Sequence, residues 1–248
     1  MSESKRLEIP RDVHDQPLMV TLFTIGVCVG WLTNYLAMIH KSFQDKSYGM
    51  PLVALSCNIA YEMVYVLYPI DAPVWPIVFV LWLALNLVVC YTTLRFAPNE
   101  WVHAPLVQRN LLWIFVVSIA CWMTAHLAFK AQLGPVLAAA WSAMFCQVFL
   151  SAASLWQLMV RGSSRGTSLF IWFSRFMGTA IVLPQEILRY KHKDPTVVWN
   201  NPMGWWGAAA FFVLDISYGI LLWKILRSER TVAVKYGGKG RLESNKAE

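Results

Sequence analysis

A chain of 248 residues that is 57% hydrophobic and only 14% charged is too apolar for an ordinary soluble domain, where roughly a quarter of residues are charged. Its formal net charge of +7 forms no basic stripe, since seven of the basic residues follow Trp223, so nucleic acid is excluded as a partner. Cys28, Cys57, Cys90, Cys121 and Cys146 each fall inside an apolar run, with no CxxC pair and no His at metal-ligand spacing. They read as small buried hydrophobes, and neither a disulfide framework nor a zinc site is expected.

Residues 1–17 are polar and carry Lys5, Arg6, Glu8, Arg11 and Asp12; the apolar run that follows is too long for a signal-peptide core, so no cleavage is expected. A spanning helix needs about 20 mostly apolar residues. Seven windows qualify: Leu18 to Ile39, Pro51 to Tyr68, Pro73 to Leu94, Leu111 to Phe129, Pro135 to Met159, Ser168 to Leu188 and Met203 to Leu226. The expected fold is all-α, a polytopic membrane protein with seven transmembrane helices in one bundle spanning 18–227.

Only Pro69 to Ala72 separate the second and third windows, which predicts a tight antiparallel hairpin. Pro51, Pro73, Pro135 and Pro202 sit at or beside window starts, where a missing N–H is harmless. Pro184 lies late in the sixth window and should kink or end that helix near Val182. Residues 228–248 are basic, poor in apolar side chains and carry Gly237, Gly238 and Gly240, which predicts a disordered tail. Lys and Arg number 7 on the side of the N-terminus and 13 on the side of the C-terminal tail, so the tail is expected in the cytosol and the N-terminus in a lumen.

An ionisable residue at a helix centre costs about 2.5–3.5 kcal/mol on insertion scales unless it meets a polar interior. Glu62, Arg175 and Asp215 occupy such positions in the second, sixth and seventh windows. Arg175 paired with one acid would be a polar clamp between helices. With two acids against one base, a carboxyl remains without a countercharge, and apolar surroundings favour its neutral, proton-donating form. Helical spacing puts Asn58 and Tyr65 on the face of Glu62, and Phe211, Phe212 and Tyr218 beside Asp215. Trp172 accompanies Arg175 and Thr179, and Trp31, Asn34, Tyr35 and Met38 share a face of the first helix. A dry pocket with a protonatable carboxyl, a second carboxylate and aromatic walls suits carbocation chemistry: the acid protonates an epoxide or alkene, the second carboxylate takes the terminating proton or orients the acid, and aromatic faces stabilise the cation by about 2 kcal/mol or more when desolvated. Glu62 and Asp215 are therefore expected to form the acid centre. The alternative is a seven-helix transporter or receptor that uses the same acids to carry a proton or bind a cation. A Schiff-base pump is disfavoured, because Lys130 and Lys224 lie at helix ends.

The stretches Asn34-Tyr35, Lys41-Ser42, Asp45-Lys46-Ser47-Tyr48-Gly49-Met50, Cys57-Asn58-Ile59-Ala60-Tyr61-Glu62 with Val64-Tyr65, Arg165-Gly166-Thr167-Ser168, Trp172, Arg175, Gly178-Thr179 and Asp215 with Tyr218 together resemble one family. It is the small integral-membrane terpene cyclases of fungal secondary metabolism, including the paxilline-type indole-diterpene and pyripyropene-type meroterpenoid cyclases. The resemblance covers the chain apart from its tails and implies seven helices. It implies that Glu62 and Asp215 match the two essential acids of the pyripyropene-type enzymes, which protonate a terminal epoxide on a prenyl chain. Where the family often has Trp before the glutamate, this chain has Tyr61. The implied partners are a lipophilic prenylated substrate, membrane lipid and an upstream epoxidase, and the implied location is the endoplasmic reticulum. No aspartate-rich Mg²⁺ cluster exists, so metal-driven ionisation is not expected and no cofactor is implied.

Overall fold

The computed structural model describes residues 18–70, 74–191 and 202–244, the last segment with side chains through Val232, and every regular element among them is helical. The polar segment 1–17 lies outside the described residues. The helices are α1 Leu18–Asp45, α2 Leu52–Leu67, α3 Trp75–Phe96, α4 Pro105–Leu133, α5 Pro135–Arg161, α6 Leu169–Ala180, α7 Val182–Lys191 and α8 Pro202–Ser244. Proline starts several of them: Pro51 caps α2, Pro105 and Pro135 open α4 and α5, and Pro202 opens α8. At α6 the Ser168 hydroxyl accepts from Ile171 N at 3.2 Å, and α5 ends on Gly162, whose φ of 61° is left-handed.

Helices α1, α3, α4, α5 and α8 are long and apolar enough to cross a bilayer. The other two predicted passes are shorter. α2 has 16 residues, roughly 24 Å at 1.5 Å per residue. It is the buried axis of the bundle, flanked by α3, α4 and α5, with Leu55, Cys57, Ala60, Val64 and Tyr65 inaccessible. A helix that is apolar all round belongs in such a core, and protein rather than lipid sets its length. The sixth window is two helices meeting at Ile181, and Pro184 stands in the first turn of α7. The break falls beside Val182, where the proline's missing N–H and ring predict it.

Large apolar side chains cover the outside: Leu22, Ile25 and Val29 on α1, Trp113 and Val117 on α4, and Val213, Ile216 and Ile220 on α8 are exposed, as a lipid-facing surface requires. At one end of the bundle the loops after α1, α3 and α5 are tied together. Ser47 Oγ donates to Glu100 Oε1 at 2.7 Å, Arg161 Nη1 to Tyr48 O at 2.8 Å, and Gly166 N to Asp45 Oδ2 at 2.8 Å. The first and fifth loops cross so closely that a Cβ on Gly49 would stand 2.6 Å from Gly166 O, and Gly166 itself has φ 76°. Glu229 joins this end by accepting from Ser164 N and Oγ at 2.9 and 2.6 Å. This contact lies two residues past 227, and it pairs an acidic side chain of α8 with part-buried donors of the fifth loop. These loops and the end of α8 share one face of the bundle.

On the other side of α1, Gly30 meets Gly178 of α6, and a Cβ on Gly30 would lie 2.5 Å from Gly178 Cα and 3.1 Å from Ser174 O. Small residues allow this approach in membrane bundles. One turn along, Asn34 Nδ2 donates to Ile171 O at 2.7 Å, a buried tie between the same helices.

Candidate functional site

A cavity of about 290 Å³ opens between the helices, at the lower end of the range of small-molecule pockets. Its wall is mostly apolar and includes eight aromatic side chains: Trp31 and Tyr35 from α1, Tyr61 from α2, Trp75, Phe79 and Trp82 from α3, and Phe211 and Phe212 from α8. Asn58 and Glu62 enter from α2, Gln147 from α5 and Thr179 from α6, while Gln185, Glu186 and Arg189 make a polar end on α7.

Glu62 is 1% exposed. Asn86 Nδ2 donates to its Oε1 at 2.7 Å, Tyr35 OH at 3.3 Å and Asn58 Nδ2 at 3.4 Å. Both amides also donate to the Tyr35 oxygen, at 2.9 Å from Asn58 and 3.1 Å from Asn86, so each Nδ2 uses its two hydrogens on the phenol and the carboxyl. Among the described residues Glu62 Oε2 has no hydrogen-bond partner and no cation stands within salt-bridge distance of the carboxyl. A carboxyl gripped on one oxygen and open on the other leaves Oε2 as the oxygen at which a proton can be given or taken. After proton loss, the same three donors would hold the carboxylate.

Asp215 stands differently. It is fully buried and outside the cavity wall. Arg175 donates to Oδ1 through Nε at 3.2 Å and Nη2 at 2.5 Å, and Ser151 Oγ donates to Oδ2. Gln147 Nε2 reaches Oδ2 at 3.5 Å and Ser151 Oγ at 3.0 Å, while Gln147 Oε1 accepts from Thr179 at 3.0 Å. Asp215 thus touches the cavity through Gln147 and Thr179. Arg175 also donates to Ser154 Oγ at 3.2 Å and lies 5.0 Å from the centroid of the Tyr218 ring.

Of the sequence-predicted site residues, the fold brings Glu62, Asn58, Trp31, Tyr35 and Phe211 to the cavity. It places Asp215, Arg175, Trp172, Tyr218, Asn34 and Tyr65 elsewhere. Trp172 Nε1 donates to Asp215 O at 2.9 Å, and Tyr218 OH meets Thr167 Oγ1 at 2.9 Å. Tyr65 shares a helix face with Glu62 but is buried against Phe79, ring centroids 5.4 Å apart. Asn86, Glu186 and His126 escaped the sequence reading. Asn86 carries a signal that could have found it, an amide in the middle of an apolar window. His126 is buried between Cys57 and Cys146, three residues on three helices that no local spacing connects.

A family model described as Pyr4-like transmembrane terpene cyclases matches residues 5–228. The chain belongs to that family. The terpene cyclase dpmpB of Macrophomina phaseolina is 53% identical over 207 residues, covering 83% of this chain and 85% of that one. The terpene cyclase dpfgB of Gibberella zeae is 46% identical over 213 residues, 85% and 88% of the two chains. The terpene cyclase janB of Penicillium janthinellum is 40% identical over 227 residues, 91% and 93%. This protein is therefore a membrane-bound terpene cyclase, and the transporter or receptor reading is not favoured. The cavity is lined by apolar and aromatic side chains, and among the described residues no cation stands within salt-bridge distance of the Glu62 carboxyl in its wall.

Proposed function

We propose that this terpene cyclase starts its reaction by transferring a proton from Glu62 Oε2 to the terminal epoxide, or alkene, of a prenylated precursor. The supporting observation is the asymmetry of Glu62, with three donors on Oε1 and none of the described residues bonded to Oε2. Protonation of the epoxide oxygen weakens its C–O bond, and the neighbouring alkene closes a ring on that carbon as the bond breaks. The positive charge moves along the prenyl chain past the faces of Trp31, Phe211 and Phe212, which stabilise it and exclude water. Loss of a proton ends the sequence and returns the acid, so substrate and product are isomers. Arg175, Asp215 and Ser151 position Gln147 and Thr179 in the wall and do not donate the first proton. Gln185, Glu186 and Arg189 suit the polar group joined to the prenyl chain.

The same reading has α2 and the α6–α7 pair completing seven passes. It puts the chain in the endoplasmic reticulum with the N-terminus lumenal and the C-terminus cytosolic, downstream of an epoxidase. Incubating microsomes containing the wild type or Glu62→Gln with epoxidised farnesyl and geranylgeranyl conjugates tests the chemistry by mass spectrometry. The expected result is an isomer of unchanged mass and new retention time from the wild type alone. Equal conversion by Glu62→Gln would remove Glu62 from the proton step.

A further inference from the structure

At the cavity wall, α2, α4 and α5 bring Cys57, His126 and Cys146 together, all buried. Cys57 Sγ is 3.6 Å from Cys146 Sγ and 3.7 Å from His126 Nε2, and Cys146 Sγ is 3.9 Å from His126 Nε2. Zinc bound tetrahedrally at its usual lengths, about 2.3 Å to sulfur and about 2.0–2.1 Å to nitrogen, separates two sulfurs by about 3.8 Å and sulfur from nitrogen by about 3.6 Å. The three atoms already form the face of such a tetrahedron. His126 Nδ1 lies 3.1 Å from the buried Ser142 hydroxyl, an oxygen that can accept the Nδ1 proton in the tautomer whose Nε2 lone pair faces the sulfurs. Ligating imidazoles ordinarily have such a partner, whereas thiols packed only as hydrophobes need none.

We propose that Cys57, Cys146 and His126 bind one zinc ion that fastens α2 to α4 and α5. Charge selects the ion. Two thiolates and a neutral imidazole cancel a divalent cation, leaving a neutral centre in surroundings where net charge is costly; copper(I) would leave a negative one. Binding releases the two thiol protons and leaves a fourth position for a water. Cys57 is one helical turn before Tyr61, whose ring centroid lies 5.7 Å from that of His126, and Cys146 lines the cavity. The metal thus stiffens the α2 segment that carries Tyr61 and Glu62, and takes no part in the proton transfer.

The test is metal content, which does not depend on the cyclase chemistry. The full chain, carrying a tag without histidines, is purified in detergent from zinc-supplemented cells and analysed by inductively coupled plasma mass spectrometry. The wild type should hold close to one zinc per chain, falling at least about fivefold in Cys146→Ser and in His126→Gln. Cobalt exchanged into the wild type should give thiolate-to-cobalt charge-transfer absorption, a readout that stands even if a variant fails to fold. Wild-type protein with neither zinc nor this absorption, or with a Cys57–Cys146 disulfide in unreduced peptide maps, would overturn the site. Copper in place of zinc would overturn the choice of ion.

Discussion

Arg175 donates twice to one oxygen of Asp215, at 3.2 Å from Nε and 2.5 Å from Nη2, and so leaves the other oxygen to Ser151 and Gln147. Base and acid cancel inside the bundle, and among the described residues no cation stands within salt-bridge distance of Glu62. On the function proposed above, the two carboxyls have separate work, Asp215 structural and Glu62 chemical.

Removing the Asp215 charge should damage the fold. Asp215→Asn leaves the Arg175 guanidinium buried without a counterion, a loss of about 3–5 kcal/mol for a broken buried pair. Its thermal midpoint in detergent should drop well below that of the wild type, and Arg175→Met combined with Asp215→Leu should recover much of it. An Asp215→Asn protein with the wild-type midpoint and no turnover would instead place Asp215 in the chemistry.

Glu62→Gln should do the reverse. Gln keeps a carbonyl for Asn86, Tyr35 and Asn58 and loses only the acidic proton, so the protein should fold with an unchanged midpoint while kcat falls at least about 100-fold. Initial rates and melting curves on one preparation decide this. A fall in both together would mean that Glu62 is needed for packing.

Asn86 makes the shortest hydrogen bond to the Glu62 carboxyl, at 2.7 Å. A hydrogen bond to a charged group contributes about 1.5–3 kcal/mol. If the bond strengthens as Glu62 gives up its proton, Asn86→Ala lowers kcat by roughly 10- to 100-fold and leaves KM nearly unchanged. A rise in KM with normal kcat would show that Asn86 serves substrate binding.

Gly30 and Gly178 allow α1 and α6 to touch. Gly30→Val puts a branched side chain where a single Cβ already overlaps backbone, so helix separation rather than rotamer change must follow. The amount of monodisperse protein extracted from membranes should collapse, while Gly26→Ala, which meets only the side chain of Ile181, Cδ1 at 3.2 Å and Cγ2 at 3.6 Å, should be tolerated. Normal yields of Gly30→Val would deny the close crossing any role in assembly.

What the sequence disclosed was local. Asn58 four residues before Glu62 put amide and acid on one helix face, Pro184 marked the break at Ile181, and Arg175 with two acids implied a clamp and a remaining carboxyl. What it hid was convergence between helices. Asp215 and Glu62 look equivalent along the chain, and only packing puts Arg175 against one of them. Asn86 and His126 sit in apolar windows with no neighbouring motif, so nothing within a turn shows that they meet Glu62 or the paired thiols. Tyr65 has the right spacing from Glu62 and the wrong surroundings, because Phe79 covers it.

The aromatic wall should govern where the cation stops. Phe211 lines the cavity on α8 and stacks on Phe176, with ring centroids 5.7 Å apart, so truncation both removes a cation-stabilising face and admits water. Phe211→Ala should keep initiating, since Glu62 and its donors are untouched, yet release incompletely cyclised isomers and products heavier by one water. Chromatography with mass detection separates these from the wild-type product. A uniform loss of all products, with substrate unconsumed, would show that Phe211 positions the epoxide against Glu62 instead of guiding the later cation.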